Sequence, residues 1–487
     1  MQPPTESPKN QDAPRGFPQA VRTLLPWQKA AILLAITAVA AGAATRPLPV
    51  IIAINAGFTL FYLVNSAYRI FLMDLSLRRR PEITVTPAEL QAPPPGRKQW
   101  PKYLVLVPLY REAEILPHLV TALSRLDYPK DRLEIRLLIE EDDLETMAAA
   151  RSARLPPPFV IFPIPVSQPR TKPKACNVGM AAGEAEFLVV YDAEDRPEPD
   201  QLKKAVTAFS RVPDNVACIQ AKLNFYNPGQ NILTRCFTAE YALWFDLFLP
   251  GLDCLEAPIP LGGTSNHFRL RALREIGGWD EFNVTEDCDL GLRLFTRGWR
   301  TRMLDSTTWE QACPSLPFWI RQRSRWVKGY IQTYFVHTRR PFGILRSAGW
   351  RAALHFHLLV GGTPLSQLIN PFYWLLAAAW FLWRPESLSA FFPWPVFAMG
   401  AVCLFLGNFL FAYAGAVACV RRGLGHLAGY ALLMPLYWGL MSVGAWKGAL
   451  QLLVRPHHWE KTRHFAASQD SAAPGKHPED FPEGGGK

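Results

Sequence analysis

The sequence lacks any cysteine pairing pattern. Its eight cysteines, Cys176, Cys218, Cys236, Cys254, Cys288, Cys313, Cys403 and Cys419, form no C-x-x-C pair and no finger spacing. That argues against a zinc module or a disulfide framework, and for reduced thiols in a cytoplasmic domain. Ionisable residues are scarce within the long apolar runs, which argues against an ion or solute transporter carrying a soluble insert. A cleavable signal is not called for, because the first apolar run, residues 30–44, begins late and a second, residues 48–68, follows at once. No regulatory domain is visible after the last apolar run. The formal net charge is +11, but many of the cations sit beside apolar runs, so anionic lipid rather than nucleic acid is the expected partner.

What is present is unevenly distributed. A length of 487 residues suits two or three structural units. The expected organisation is a disordered cytoplasmic N-terminus (1–25), a transmembrane hairpin (26–72), a soluble α/β domain (100–336), a basic amphipathic segment at the headgroup level (338–363), C-terminal transmembrane helices (364–454) and a disordered tail (465–487). Arg22 and Lys29 before the hairpin and Arg78, Arg79 and Arg80 after it place both flanks in the cytoplasm. Arg421 and Arg422 mark a further cytoplasmic loop. Three C-terminal spans then leave the basic segment 455–464 outside, against its charge, unless residues 354–362 belong to an extra span or Lys447 marks an interfacial helix.

Within the central domain, residues 103–107, 135–139 and 187–191 read as apolar strands, and residues 114–126 and 201–209 as amphipathic helices. Alternating strands and helices imply an open, mostly parallel sheet with ligands at the carboxyl ends of its strands. Acids gather there. Glu140, Glu141, Asp142 and Asp143 follow one strand, either as a solvated loop or as charges awaiting a cation. Asp192 and Glu194, with Asp195 beside them, follow another; carboxylates two apart on a strand-end turn suit one hard divalent ion. Glu286, Asp287 and Asp289 form a third group, which equally suits the first turn of a helix. The fourth group, Arg321 to Trp326 (RQRSRW), offers guanidinium groups for an oxyanion or diphosphate and an indole for a sugar face. A cationic membrane-surface patch is its alternative.

Acid cluster, D-x-E, T-E-D and Q-R-x-R-W in that order resemble the membrane-integrated family 2 glycosyltransferases, the group of bacterial cellulose, chitin and hyaluronan synthases. The closest parts are residues 284–290 (VTEDCDL) and 322–326 (QRSRW), supported by VPLYRE at 107, KACN at 174, QAKLNFYNP at 220 and GGTSNHFR at 262. LIEEDD, YDAEDRPEPDQL and STTWEQA look most like a bacterial exopolysaccharide branch. Two departures stand out: Glu141-Asp142-Asp143 replaces an Asp-Asp-Gly, and Asp192-Ala193-Glu194 replaces D-x-D.

The resemblance implies a GT-A-like nucleotide-sugar-binding domain inserted between transmembrane helices of the bacterial inner membrane, with the catalytic domain cytoplasmic. It implies a nucleotide (UDP) sugar contacted by Glu141 or Asp142 and by Lys174. Mg2+ or Mn2+ would be held on the diphosphate by Asp192 and Glu194, with Arg323 and Arg325 adding positive charge. Asp287 would be the general base, with Asp289 the alternative. Gln322, Trp326 and Glu286 would meet the acceptor. An α-linked donor would give a β-linked product, delivered to a growing polysaccharide exported through the spans, with accessory export proteins as partners, or to a lipid-linked acceptor. Trp374, Trp380, Trp383, Trp438 and Trp446 would line the path or form an interfacial belt. An inactive polysaccharide-binding homologue is disfavoured because all three acid clusters are intact.

Overall fold

The computed structural model describes residues 19–384 and 386–455. Expectations for residues 1–18, for the basic segment beyond Arg455 and for the tail fall outside the described residues. Eight strands form one sheet: β1 (Tyr103–Leu109), β2 (Leu133–Glu140), β3 (Phe159–Ile164), β4 (Phe187–Val190), β5 (Arg196–Pro197), β6 (Val216–Phe225), β7 (Asn266–Arg269) and β8 (Arg300–Glu310). Their order is β3-β2-β1-β4-β7-β6-β8-β5. The first four positions are parallel. β7 then runs antiparallel to both β4 and β6, so the sheet is mixed. β4 and β6 are buried along their whole length, as expected of strands covered on both faces. β7 reads NHFR, too short and polar to announce itself as a strand.

One face of the sheet is covered by helices Leu116–Ser124 and Gln201–Arg211, whose Leu116, Leu119, Leu123, Leu202, Val206 and Phe209 meet Val105, Val107, Ile135 and Ile139. The other face shares its core with Leu72 and Met73 of the second apolar helix. Domain and membrane segments therefore fold as one body rather than as beads on a string.

Five helices are long and apolar enough to cross a membrane: Pro26–Thr45, Pro47–Arg79, Gly343–Trp383, Trp394–Arg421 and Gly425–Val454. The second runs past the expected end at residue 72. Its last turns enter the domain, where Leu72 and Ser76 are fully buried and Ser76 donates to the Asp246 carbonyl at 3.1 Å. Gly251 makes that approach possible, since a Cβ there would stand 2.3 Å from the Leu72 carbonyl oxygen. The loop after the fourth helix is tied to the same side: Arg422 donates to Asp246 at 2.6 Å and Arg421 to Glu82 at 2.9 Å, beside Lys222. Residues 19–25, grouped by the sequence reading with a disordered tail, form turns against the domain; the Ala20 amide donates to Asp280 at 2.6 Å.

Helix Gly343–Phe356 bends at Gly349 (φ 84°) and continues through His357–Gly361 into Gly362–Trp383. It exposes Leu345, Trp350 and Leu354 between arginines. Helix Met434–Val454 lies lengthwise against helix Leu316–His337. Cβ atoms at Gly444 and Gly448 would stand 2.9 Å from Arg323 Cβ and 2.4 Å from the Ser324 carbonyl oxygen. Gly448→Val should push these helices apart and cost about 1–3 kcal/mol, as overpacking of a tight contact does. A fall in the thermal unfolding temperature of the detergent-purified protein is the measurement.

Candidate active site

The acids after β4 divide by direction. Asp195 turns inward: its Oδ2 accepts the Asp192 amide at 2.8 Å and the Thr264 hydroxyl, closing the strand-end turn. Its Oδ1 is buried without a hydrogen-bond partner. Asp192 and Glu194 are less buried and face the opening. Asp192 Oδ1 accepts from Lys172 Nζ at 2.5 Å, and Lys172 also donates to the Gly263 carbonyl at 2.7 Å. The Gly262–Thr264 loop is itself held by Gln220, whose Oε1 accepts the Gly262 amide at 2.8 Å.

The T-E-D segment arrives from the opposite side. Glu286 and Asp287 open helix Glu286–Thr296. Asp287 Oδ1 accepts the Cys288 amide at 2.7 Å, and its Oδ2 faces Gly263, where a Cβ would stand 3.4 Å away. Burial pushes the Asp287 carboxyl up to about 6, against the Cys288 amide and Lys172, which favour the charged form. Burial and the neighbouring Asp287 push Glu286 up to about 8. Burial and mutual repulsion thus favour the pair holding a proton more tightly than two separate carboxylates would. Glu310, ending β8, is raised well above the usual carboxylate range by burial and by Asp195 and Glu194. Arg325 is lowered by burial while Glu286, Asp192, Glu194 and Asp287 all favour its charge.

Of the residues expected from sequence, then, Asp192, Glu194, Glu286, Asp287 and Arg325 converge. Asp195, noted in the sequence beside Asp192 and Glu194, lies with them, and Lys172 and Glu310 join unforeseen. Glu310 stood in the STTWEQA run, at the end of what proves to be a strand; Lys172 stood two residues before the lysine singled out.

Other expectations are corrected. Lys174 is buried behind the strand ends, donating to Glu140 at 3.0 and 3.1 Å and to the Pro165 carbonyl at 2.7 Å, so it braces β2 instead of meeting a donor. Arg323 points the other way from Arg325. It donates to Glu240 through both terminal nitrogens, one at 2.8 Å, and to the Tyr437 hydroxyl at 2.8 Å. Asp289 is fully buried between Arg293 and His337, each at 2.7 Å, which hold its carboxyl below the usual range despite burial. It is a brace and no substitute base. Trp326 stacks beneath the Arg323 guanidinium, 4.6 Å from the ring centre, beside Phe237 and Tyr241.

Two further placements complete the list. Glu141 and Asp142 are exposed at the end of β2, where Asp142 pairs with Arg170 at 2.6 Å; Asp143 caps the next helix by accepting the Thr146 amide. Gln322 carries a buried, unpartnered Oε1.

The residues present fit a divalent ion. Four carboxylates crowd one spot, two of them with strongly raised affinities for protons, and one buried oxygen has no partner. Among the described residues no three acidic, His or Cys side chains form a cage. Such an ion would keep water and substrate oxygens, as Mg2+-type sites do.

Beyond this site lies a cavity of about 640 Å3 between the apolar helices, floored by Arg69 and Glu240 and lined upward by Trp374, Trp380 and Phe397. Trp438 also lines it; Trp383 is largely exposed, and Trp446 donates to the Leu368 carbonyl at 3.0 Å.

Comparison with known proteins decides the family. The model described as "Glycosyl transferase family group 2" matches residues 187–441, just over half the chain, including both acid clusters around the opening and the QRSRW helix. The chain belongs to this family. Among its relatives are the Bacillus subtilis protein described as probable glycosyltransferase YdaM, 27% identical over 235 residues (48% of this chain and 56% of that one). Another is glucomannan 4-beta-mannosyltransferase 2 of Arabidopsis thaliana, 28% identical over 242 residues (48% and 45%). The chain spans about half the length of these relatives. Mannosyltransferase PcManGT from Pyrobaculum calidifontis, solved with GDP-Man and Mn2+, shares the fold with a TM-score of 0.53 at 18% identity, over 83% of this chain and 99% of that one. The family 2 chain thus has a GT-A-like domain, with its sheet and acid-bearing strand ends.

The two arginines of QRSRW should separate in solution. Arg323→Ala leaves Glu240 without its guanidinium and should lower the unfolding temperature, at a cost of about 3–5 kcal/mol if the pair is as closed as its burial suggests. Arg325→Ala should leave stability near the parent value and weaken nucleoside diphosphate binding about tenfold, as loss of a charge-assisted contact does. Thermal unfolding and isothermal titration measure the two.

Proposed function

We propose that this chain is an inverting, metal-assisted glycosyltransferase. It transfers a hexose from a nucleoside-diphosphate sugar, UDP-linked by the family resemblance, to an acceptor that reaches Asp287 from the membrane cavity and is extended as a β-linked glycan. The observation that carries this reading is that Lys172 and Gly263 bring Asp192 and Asp287 to one place: Lys172 donates to Asp192 and to the Gly263 carbonyl, and Asp287 Oδ2 faces Gly263. It is supported by family membership and by the donor and metal present in the Pyrobaculum neighbour.

Asp192 and Glu194 would hold Mg2+ or Mn2+, which supplies Lewis-acid stabilisation of the departing diphosphate. Lys172 and Arg325 add fixed positive charge on the same side. Asp287 Oδ2 takes the proton of the acceptor hydroxyl as that oxygen attacks the anomeric carbon from the face opposite the leaving group. Glu286, protonated, donates a hydrogen bond without adding repulsion. Asp142 and Arg170 border the place for the nucleoside.

The domain is placed in the cytoplasm and the protein in the inner membrane. Four helices cross, while Met434–Val454 lies at the interface along Leu316–His337, which returns Arg455 to the domain's side. An impermeant thiol reagent should then label Arg80→Cys and Arg455→Cys variants from the same side.

Asp287→Asn should lower transfer by about 10²- to 10⁴-fold, the usual worth of a general base, with donor binding retained. In the parent, kcat/KM should fall as pH drops through about 6, because the raised carboxyl must be ionised to accept a proton. Near-parental elongation by Asp287→Asn would sink the reading.

A further inference from the structure

Residues 19–25 form turns rather than a helix, yet they are held against the domain at both ends. Ala20 is fully buried, and its amide donates to Asp280 Oδ2 at 2.6 Å. The Gln19 carbonyl accepts from Arg339 at 2.9 Å. At the other end, Gln28 Oε1 accepts the Leu25 amide at 2.9 Å and Gln28 Nε2 donates to the Phe335 carbonyl at 2.9 Å. Beyond its contact with the second, the first apolar helix, Pro26–Thr45, has little hold on the rest of the protein, and Gln28 is its one buried residue. The segment therefore joins that helix to two places: the end of helix Leu316–His337 and the loop that carries Asp280.

Asp280 stands between Gly277-Gly278-Trp279 and the Glu286–Asp287 turn. Neighbouring helices grip this loop near its ends: Asn177 exchanges two bonds with the Trp279 backbone, each 2.9 Å, and Gln332 Oε1 accepts the Val284 amide at 3.0 Å. The middle is held by Thr171, which donates to the Glu281 carbonyl at 3.0 Å, and by the buried Asp280 carboxylate. That carboxylate takes the Phe282 amide on Oδ1 at 3.0 Å and the Ala20 amide on Oδ2. The Asp280 carbonyl accepts the Asn283 amide at 3.2 Å, and Asn283 Oδ1 accepts the Thr285 amide at 3.0 Å, which carries the constraint to the residue before Glu286. Burial, and then Asp289, push the Asp280 carboxyl up to about 6, against the Phe282 and Ala20 amides. Without the Ala20 donor, Oδ2 would be a buried acceptor with no partner, which is costly. Gly277 and Gly278, at φ 78° and 70°, give the loop room to turn that oxygen toward water. Asp287 would move with it, and a displacement of about 1 Å at a reacting group can cost about 10²-fold in rate.

We infer that residues 19–25 are a positioning strap for the base and that Asp280 is the positioning residue through which the strap acts: the Ala20 amide fixes the Asp280 carboxylate, and with it the turn that sets Asp287 opposite Gly263. The inference rests on the proposal that Asp287 takes the acceptor proton. It adds a control point at the membrane, because the strap runs directly into helix Pro26–Thr45. A tilt of that helix would pull on Ala20 and so reach Asp287.

The test uses the full chain in detergent micelles. Ala20→Pro removes the amide donor, Ala20→Gly keeps it, and Asp280→Ala removes the acceptor. Ala20→Pro and Asp280→Ala should each lower kcat for transfer from a radiolabelled UDP-hexose by about 10- to 100-fold, with KM for the donor and Mn2+-dependent UDP binding close to the parent values. Ala20→Gly should retain most of the rate. Hydrogen exchange at the amides of residues 279–287 should quicken in Ala20→Pro while that of β1 and β2 stays as in the parent. In an Asp287→Asn background, Ala20→Pro should have no further effect on kcat, since the strap acts through that carboxylate. Unchanged exchange at 279–287 in Ala20→Pro, a kcat within about twofold of the parent, or a loss of the same size in the Asp287→Asn background would each overturn the inference. Faster exchange throughout the domain would overturn it too, since that marks a merely structural role. Near-parental transfer by Asp287→Asn alone would strike the proposed function, while exchange at 279–287 still reads the strap.

Discussion

The close approach of helix Leu316–His337 to two neighbours at once is the constraint on which the rest depends. On one side Gly329 lets it meet Thr285, where a Cβ would stand 2.4 Å from the threonine methyl, and Gln332 and Thr333 bind the backbone and side chains just before Glu286 and Asp287. On another side it lies against Gly444 and Gly448 of the last apolar helix. Between these contacts, Arg323 and Arg325 leave the same helix in different directions, one to Glu240 at the cavity floor and one toward Asp192 and Asp287. A shift of this helix would move Arg325, Asp287 and Glu240 together, since packed interiors transmit displacement.

The electrostatics follow from that arrangement. Six carboxylates, Asp192, Glu194, Asp195, Glu286, Asp287 and Glu310, face two cations, Lys172 and Arg325. In a partly dehydrated site such an excess is tolerable only if some acids keep their protons or a metal supplies charge. Burial and the neighbouring acids push Glu286 and Glu310 above the usual carboxylate range, which favours the first remedy. Lys172, donating to Asp192, occupies the ground where a metal-bound diphosphate would act.

Much of this was legible in the sequence, for a physical reason in each case. Strands buried on both faces spell continuous apolar runs, so β1, β2 and β4 and the acids that follow them were visible. β7 was hidden because four residues, three of them polar, carry no periodic signal, and without it the sheet read as mostly parallel. Glu286, Asp287 and Arg325 were singled out by the order of motifs that carries the family resemblance, and the structure brings them together. Lys174 and Arg323 misled because a motif names residue types and not directions: one residue along a helix turns a side chain by about 100°, which is enough to send Arg323 to Glu240. Glu310 and Lys172 were missed because neither lies in a cluster along the chain; only the sheet brings β8 beside the turn after β4. Charge counting left open whether Met434–Val454 crosses or lies at the interface; its close approach to Ser324 through Gly448 had no signal in the sequence.

The account stands or falls on the configuration of the product. Purified full chain, supplied with an α-linked nucleotide sugar carrying a 13C label at the anomeric carbon and with Mn2+, should form a glycan whose labelled anomeric signal reports a β-linkage, and EDTA should abolish its formation. An α-linked product, or β-linked product formed equally well after chelation, would contradict it.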